Sequence, residues 1–211
     1  MYQPPHFKVD RLEVQHALIK AHPFGLLISS GAEGLEANGV PFLVDAAPAP
    51  LGILRTHVAR ANSQWKNLNG QNVLVVFQGP QTYISPSLYE TKRKTGKVVP
   101  TWNYVMVQVK GVASVHEDHA WLSAQIRALT QTHEAGRAAP WAVEDAPERY
   151  IESQINGIVG IEISIASIEG KWKVSQNRPE ADRRGVASGL SKEKPSLDMA
   201  GLVRLYGGIE D

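Results

Sequence analysis

The stretch Ile158-Val159-Gly160-Ile161-Glu162-Ile163-Ser164-Ile165-Ala166-Ser167-Ile168 constrains the architecture of this chain more than any other. From Ile161 to Ile165 isoleucine recurs at every second position against polar neighbours, which is the period of a pleated strand with one buried face. A second run, Asn72-Val73-Leu74-Val75-Val76-Phe77, is apolar almost throughout and reads as a strand buried on both faces. Further strands are expected at 24–29, 35–44, 52–57, 81–85, 103–109 and 112–115. A glycine-containing turn spans 30–34, and Gly79-Pro80 reads as a turn. Gly39 and Pro41 mark 35–44 as a bulged or edge strand.

Helices fall between these strands as insertions. Asp10-Arg11-Leu12-Glu13 has capping-box spacing, and Leu12, Ala17, Leu18 and Ala21 can share a face before Pro23 ends the helix. Asn62 or Ser63 opens a helix over 63–68. Another spans 118–132 with Trp121, Ile126 and Leu129 turned to the core, another 147–155 with Pro147 in its first turn, and a weak one 197–206. Helices inserted among strands, instead of alternating with them, argue against a doubly wound sheet. The expected fold is mainly β, a closed antiparallel barrel with peripheral helices, in one domain with a C-terminal arm.

Composition removes several function classes. Zero cysteines exclude disulfides, thiolate metal sites and cysteine nucleophiles. Lysine and arginine number 22 against 21 acids, a net charge of +1, so no global field selects a polyanionic partner. No apolar run approaches the roughly 20 residues that cross a bilayer, and residues 1–6 lack the plan of a signal peptide. A soluble, cytoplasmic protein without membrane contact is expected. The seven histidines show no metal-ligand spacing, and dinucleotide, P-loop and nucleophile-elbow signatures are missing from the sequence.

Three segments carry chemical content. Lys171-Trp172-Lys173-Val174-Ser175-Gln176-Asn177-Arg178 combines cations, an aromatic plane and amide or hydroxyl groups, a mixture suited to a flat phosphorylated cofactor or a nucleic acid. It is too charged for a core segment, and the competing reading is a surface turn. From 171 to 194 there are seven Lys/Arg against three acids, an excess that suits a cofactor phosphate, a neighbouring subunit or a DNA backbone. Residues 55–66, with Arg55, Thr56, His57, Arg60, Asn62 and Lys66, run from a strand end into a helix start. That is a natural phosphate site, or else a capped helix with solvated charges. At Tyr83-Ile84-Ser85-Pro86 and Thr101-Trp102-Asn103-Tyr104, polar and aromatic residues cluster at strand ends. Alternation puts Thr101 and Asn103 on one face, where a donor and an acceptor can read a heterocycle's edge. Aromatic packing at a barrel end would explain the rings equally well.

Taken in order, these segments resemble the PaiB-like family of FMN-binding negative transcriptional regulators, within the FMN-binding split-barrel group that also holds the pyridoxamine phosphate oxidases. The matching residues are Met1, Tyr2, Pro4, His6 and Phe7, then His57-Val58-Ala59-Arg60-Ala61-Asn62 with Trp65, Gly79-Pro80 and Tyr83-Ile84-Ser85-Pro86-Ser87. They continue with Val99-Pro100-Thr101-Trp102-Asn103-Tyr104, Gly170-Lys171-Trp172-Lys173, Ser175-Gln176-Asn177-Arg178, Asp182-Arg183, Gly185-Val186 and Gly189-Leu190. Asn38-Gly39 stands where Thr-His is expected, Ser63 where Pro, Leu88 where Trp, and Gln108 where His. The changes at Gly39 and Leu88 are expected to remove contacts beside the flavin.

The resemblance implies an FMN-binding split β-barrel over 1–170 with inserted helices, and an arm and short helix over 171–211 belonging to the same domain or the dimer interface. It implies a homodimer with FMN at each end of that interface. Arg60, Lys66 and Thr56 would meet the phosphate. Thr101, Asn103 and Ser85 would read or bound the ring, and Gln176 and Arg178 would reach over from the other subunit's arm. His57, Asn62 and Trp172 complete the implied cofactor set. Two functions follow: a flavin-responsive transcriptional repressor, with DNA as a partner by resemblance alone, or an FMN-dependent oxidoreductase acting on a small substrate. No helix-turn-helix pattern supports direct DNA reading.

Overall fold

The computed structural model describes residues 1–48, 50–193 and 198–209. Its strands are β1 (Lys8–Val9), β2 (Phe24–Gly31), β3 (Gly34–Pro41), β4 (Leu43–Asp45), β5 (Ile53–Ala59), β6 (Asn72–Ile84), β7 (Thr101–His116) and β8 (Ile158–Lys173). The helices are α1 (Leu12–Ala21), α2 (Glu90–Thr95), α3 (His119–Glu134), α4 (Glu148–Asn156), α5 (Glu180–Glu193) and α6 (Met199–Gly207). Hydrogen bonds order the strands β3-β2-β6-β7-β8-β5-β4, with β1 added beside β8. The β1–β8, β2–β3, β2–β6, β4–β5 and β5–β8 pairings are antiparallel. The fold is mainly β with helices, as the sequence leads one to expect.

The barrel is open where closure was expected. β3 and β4 end the strand order, and they are consecutive in sequence, joined through Phe42. Pro41 cannot donate a ladder bond, and the Phe42 amide donates to Pro23 O at 2.9 Å. Phe42 itself is buried, edge-on to Phe77 at 5.5 Å, so the junction is held by an aromatic plug in place of a strand pairing.

Two expected breaks do not occur. β6 runs through Gly79-Pro80 as one strand. Its pairing with β2 covers Leu74 to Val76, so Pro80, which lacks an N–H, lies beyond that ladder. β7 likewise continues through Gly111. A Cβ there would stand 2.3 Å from Ser164 O, so glycine is needed for backbone approach and makes no turn. The basic loop expected over 90–97 contains α2, and most of the expected polar arm is α5, whose buried face is Asp182, Val186, Ala187 and Leu190. Along α3 the most deeply buried residues are Leu122 and Gln125, while Trp121 is half-buried and stacked on His116 at 4.4 Å. The final helix is α6. Its expected start at Leu197, and Lys194 of the arm, lie outside the described residues.

The chain divides into two compact units. One comprises Met1–Gln15, Gln78–Val107 and Glu169–Asp211, and the other His16–Phe77 and Gln108–Ile168. We call them unit one and unit two. Unit two holds the β2–β3 hairpin, β4 and β5, with a core that includes Leu27, Leu54, Val75, Phe77, Ile161 and Ile163. Unit one holds β1, α2, α5 and α6, with Tyr89, Val174, Val186, Leu190 and Val203 buried. Among the described residues no helix is long and apolar enough to cross a membrane.

Candidate functional site

The candidate residues fall into two groups, one in each unit. In unit two, β5 alternates strictly. Leu54, Thr56 and Val58 are buried, while Arg55 and His57 take the opposite face. Thr56 is therefore a core residue, fully buried, and its hydroxyl donates to Pro41 O at 2.6 Å. Arg60, just past the strand, is also committed. Its Nε donates to Asn156 O at 3.0 Å, Nη2 to Ile158 O at 3.2 Å, and Nη1 pairs with Glu117 at 2.5 Å. Its guanidinium lies 5.9 Å over the Trp65 ring, whose Nε1 donates back to Arg60 O. Pleat alternation turns Thr56 inward, and Arg60 clamps the end of β5 while its side chain stays part-exposed. Asn62 caps the short 3-10 helix Ser63–Asn67, its Oδ1 accepting from Gln64 N at 2.9 Å. Lys66 is exposed.

His57 is different in kind. Its Nδ1 is buried and has no hydrogen-bond partner among the described residues, and burial holds the imidazole below its ordinary pKa. The unfolded chain therefore takes up a proton first as pH falls. Stability is expected to decline on acidification from about pH 6.5, the unperturbed histidine value, down to the lowered folded value. Melting temperature against pH should be flatter over that window in His57→Gln than in the wild type. Parallel curves would show that His57 does not carry the dependence.

In unit one the geometry converges. Thr101 and Asn103, two apart at the start of β7, line one small cavity of about 50 Å³ together with Lys173, Ser175, Asn177 and Arg178. Asn103 and Ser175 are both buried, and they pair side chain to side chain at 2.9 Å (Nδ2 to Oγ) and 3.1 Å (Oγ to Oδ1). Lys173 Nζ donates to Thr101 Oγ1 and Trp102 O. Ser175 has φ of 70°, a left-handed conformation unusual for a residue with a Cβ, and its carbonyl accepts from Arg178 N at 2.9 Å to close the turn after β8. Arg178 lies 4.9 Å over the Tyr89 ring. Burial raises the Tyr89 phenol above its usual pKa, against the pull of Arg178.

The segment judged too charged for a core is substantially buried. Lys171, Trp172, Val174 and Ser175 are all buried, and the Trp172 indole lies 6.2 Å from Tyr206 instead of offering a free stacking plane. Lys171 tolerates burial because its ammonium donates to Tyr2 O at 2.9 Å and lies 5.3 and 5.4 Å from the rings of Tyr2 and Tyr104. Gln176 turns back on its own segment, accepting from Val174 N and donating to Trp172 O. Ser85 caps the short turn Pro86–Leu88 by accepting from Ser87 N. Lys173, Ser175 and Tyr89 were missing from the expected set. The spacing of two between Lys171, Lys173 and Ser175, matched by that of Thr101 and Asn103, is the signal that picks out the first two.

The unusual positions at Gly39 and Leu88 have local structural counterparts. A Cβ on Gly39 would meet the Phe24 ring at 2.7 Å, so the small residue makes room for that ring. Leu88 faces α5, where Gly185 and Gly189 receive it.

A model of the family described as "putative FMN-binding domain" matches residues 1–167. An uncharacterised protein of Emericella nidulans is 33% identical, over 95% of this chain and 95% of that protein. The protease synthase and sporulation protein PAI 2 of Bacillus subtilis is 32% identical, covering 92% of this chain and 91% of that protein. Among solved structures, the FAD and heme binding protein of Mycobacterium smegmatis superposes with a TM-score of 0.59 at 13% identity, covering 79% of this chain and 73% of that one. At that identity the likeness speaks for the fold, which is of the flavin-binding split-barrel kind.

Proposed function

The chain belongs to the FMN-binding domain family, and from that premise we propose that it is a flavin-responsive regulator of the PaiB-like type, acting as a homodimer with FMN as its cofactor. The observation that carries the reading is the family match across residues 1–167. The name of the Bacillus relative, which refers to protease synthesis and sporulation, supports regulation over metabolism. The side chains fit the cofactor's chemistry. FMN is flat with a polar edge and a dianionic tail, and needs a few placed polar groups. Unit one offers Thr101, Asn103 and Arg178 around one cavity, and unit two offers the unpartnered Nδ1 of His57 and the exposed ammonium of Lys66. Within unit one we assign Thr101, Asn103 and Arg178 as flavin contacts, with Ser85, Trp172 and Gln176 holding the backbone or packing around them; within unit two, taken by itself, we assign His57 and Lys66, with Asn62 capping the turn that carries Lys66. Bound FMN would supply hydride or single-electron chemistry, and the chain's part would be to hold it, orient it and limit its access to water.

The test is an absorbance spectrum of the purified protein after reconstitution with FMN and desalting. Retained bands near ~450 and ~375 nm, with altered flavin fluorescence, are expected for a bound flavin. A colourless protein would remove the cofactor reading. Regulation then predicts DNA binding that weakens steeply with salt, because phosphate contacts release counterions. Rapid bleaching by NAD(P)H with multiple turnovers would instead identify an oxidoreductase.

A further inference from the structure

We infer that the unit-one cavity lined by Thr101, Asn103, Lys173, Ser175, Asn177 and Arg178 is a binding site for a tetrahedral oxyanion of the phosphate class. Charge is the first reason. Lys171, Lys173 and Arg178 lie close enough for the charges of Lys171 and Arg178, after burial itself, to lower the pKa of Lys173. Among the described residues none of the three is ion-paired with a carboxylate. Their partners are neutral: Tyr2 O and two tyrosine rings for Lys171, Thr101 Oγ1 and Trp102 O for Lys173, and the Tyr89 ring for Arg178. Neutral acceptors satisfy hydrogen bonds without cancelling net charge, and half-buried like charges repel strongly at low dielectric. A dianion in their midst would reverse that repulsion.

Shape and donors are the second reason. The cavity of about 50 Å³ is far too small for a flavin ring or a nucleoside, so it selects a small group. Two cations and several hydroxyl and amide groups face it, the donor set that oxyanions favour. The third reason is the backbone of Ser175. It holds a left-handed φ of 70° and a buried hydroxyl beside the cavity, a conformation that costs free energy and is kept where surrounding contacts enforce it.

The site shares Thr101, Asn103 and Arg178 with the flavin reading, but its ligand is inferred from charge and size. Two sources present the same chemistry: the terminal phosphate of FMN, or a separate small phosphate ester or inorganic phosphate. The experiment is a calorimetric titration of flavin-free full-length protein with inorganic phosphate, repeated with FMN and with riboflavin as competitors. Saturable phosphate binding is expected, weakened at least about tenfold in Arg178→Ala, the size of one charged hydrogen-bond pair. It should be unchanged in Lys97→Ala, an exposed lysine outside the cavity. Asn177→Asp places a negative charge at an exposed lining position, and should abolish binding even if Arg178→Ala folds poorly. Competition by FMN but not riboflavin would assign the site to the cofactor's phosphate, and phosphate binding indifferent to both would assign it to a separate ligand. Equal affinities in wild type, Arg178→Ala and Asn177→Asp, or no saturable binding, would overturn the inference. Flavin retention is read independently from the visible spectrum, so loss of either reading leaves the other to be judged by itself.

Discussion

Gly185→Ala is expected to destabilise the protein by about 2 kcal/mol, although it places a better helix former inside α5. Two effects oppose each other. Alanine in a helix interior is favoured over glycine by roughly 0.8–1 kcal/mol. Against it, a Cβ at 185 would stand 2.1 Å from the backbone carbonyl oxygen of Leu88, a distance real Cβ atoms do not show. The carbonyl belongs to the turn Pro86–Leu88, which is capped by Ser85 and leads into buried Tyr89, so it cannot withdraw cheaply. Overpacking of this kind costs about 1–3 kcal/mol, occasionally more, and the rigid partner places it at the upper end. Gly189→Ala makes the useful contrast, because the nearest atoms to its Cβ all belong to the Leu88 side chain, Cδ2 at 2.4 Å and Cδ1 and Cγ at 3.4 Å, and that side chain can rotate. It should cost less than Gly185→Ala. Urea midpoints at equal m-values measure both, and a Gly185→Ala midpoint at or above that of the wild type would defeat the steric account. The change should also reach the cavity, since Tyr89, next to Leu88, carries Arg178 over its ring.

What the sequence conveyed best was periodicity. The alternation through Ile158 to Ile168 and the apolar run at 72–77 are strands because no other local structure would bury those side chains, and both became parts of longer strands. Glycine and proline misled at Gly79-Pro80 and Gly111 because a single sequence cannot separate a turn from a close backbone approach, and the second use prevails at Gly111. α5 was hidden by its composition: two glycines depress helix propensity, and the need for those glycines is visible only once Leu88 faces them. Charge misled at Lys171. Its burial depends on two tyrosine rings and a carbonyl brought together by the fold, which sequence neighbours do not reveal. Arg60 and Thr56 were drawn to a phosphate by residue type, yet strand pleat and the carbonyls of Asn156 and Ile158 decide what they touch. Thr101 and Asn103 were legible because period-two spacing is itself a statement about a shared face, and they do line one cavity.

Asn103→Ala is expected to cost about 2–3 kcal/mol, and most of that should be recoverable only by changing its partner too. Asn103 is 1% exposed and Ser175 3%, so neither polar group can turn to bulk water for compensation. Truncating the amide removes both side-chain bonds between them and leaves the Ser175 hydroxyl buried without its partner, a penalty of about 1–3 kcal/mol beyond the bonds themselves. Ser175→Ala leaves the amide of Asn103 in the same condition, with the left-handed strain at 175 unchanged, so it should destabilise as well. The double variant removes both orphaned groups together. Its loss should therefore fall short of the sum of the single losses by about 1 kcal/mol or more. Strictly additive losses in the four urea curves would mean that the pair does not act as a unit. The same cycle separates stability from binding. Because Asn103 anchors the residue that starts the turn carrying Asn177 and Arg178, it acts on the ligand by positioning. Both single variants should weaken phosphate binding under conditions where each remains folded, whereas a purely structural pair would leave that affinity unchanged in the folded fraction.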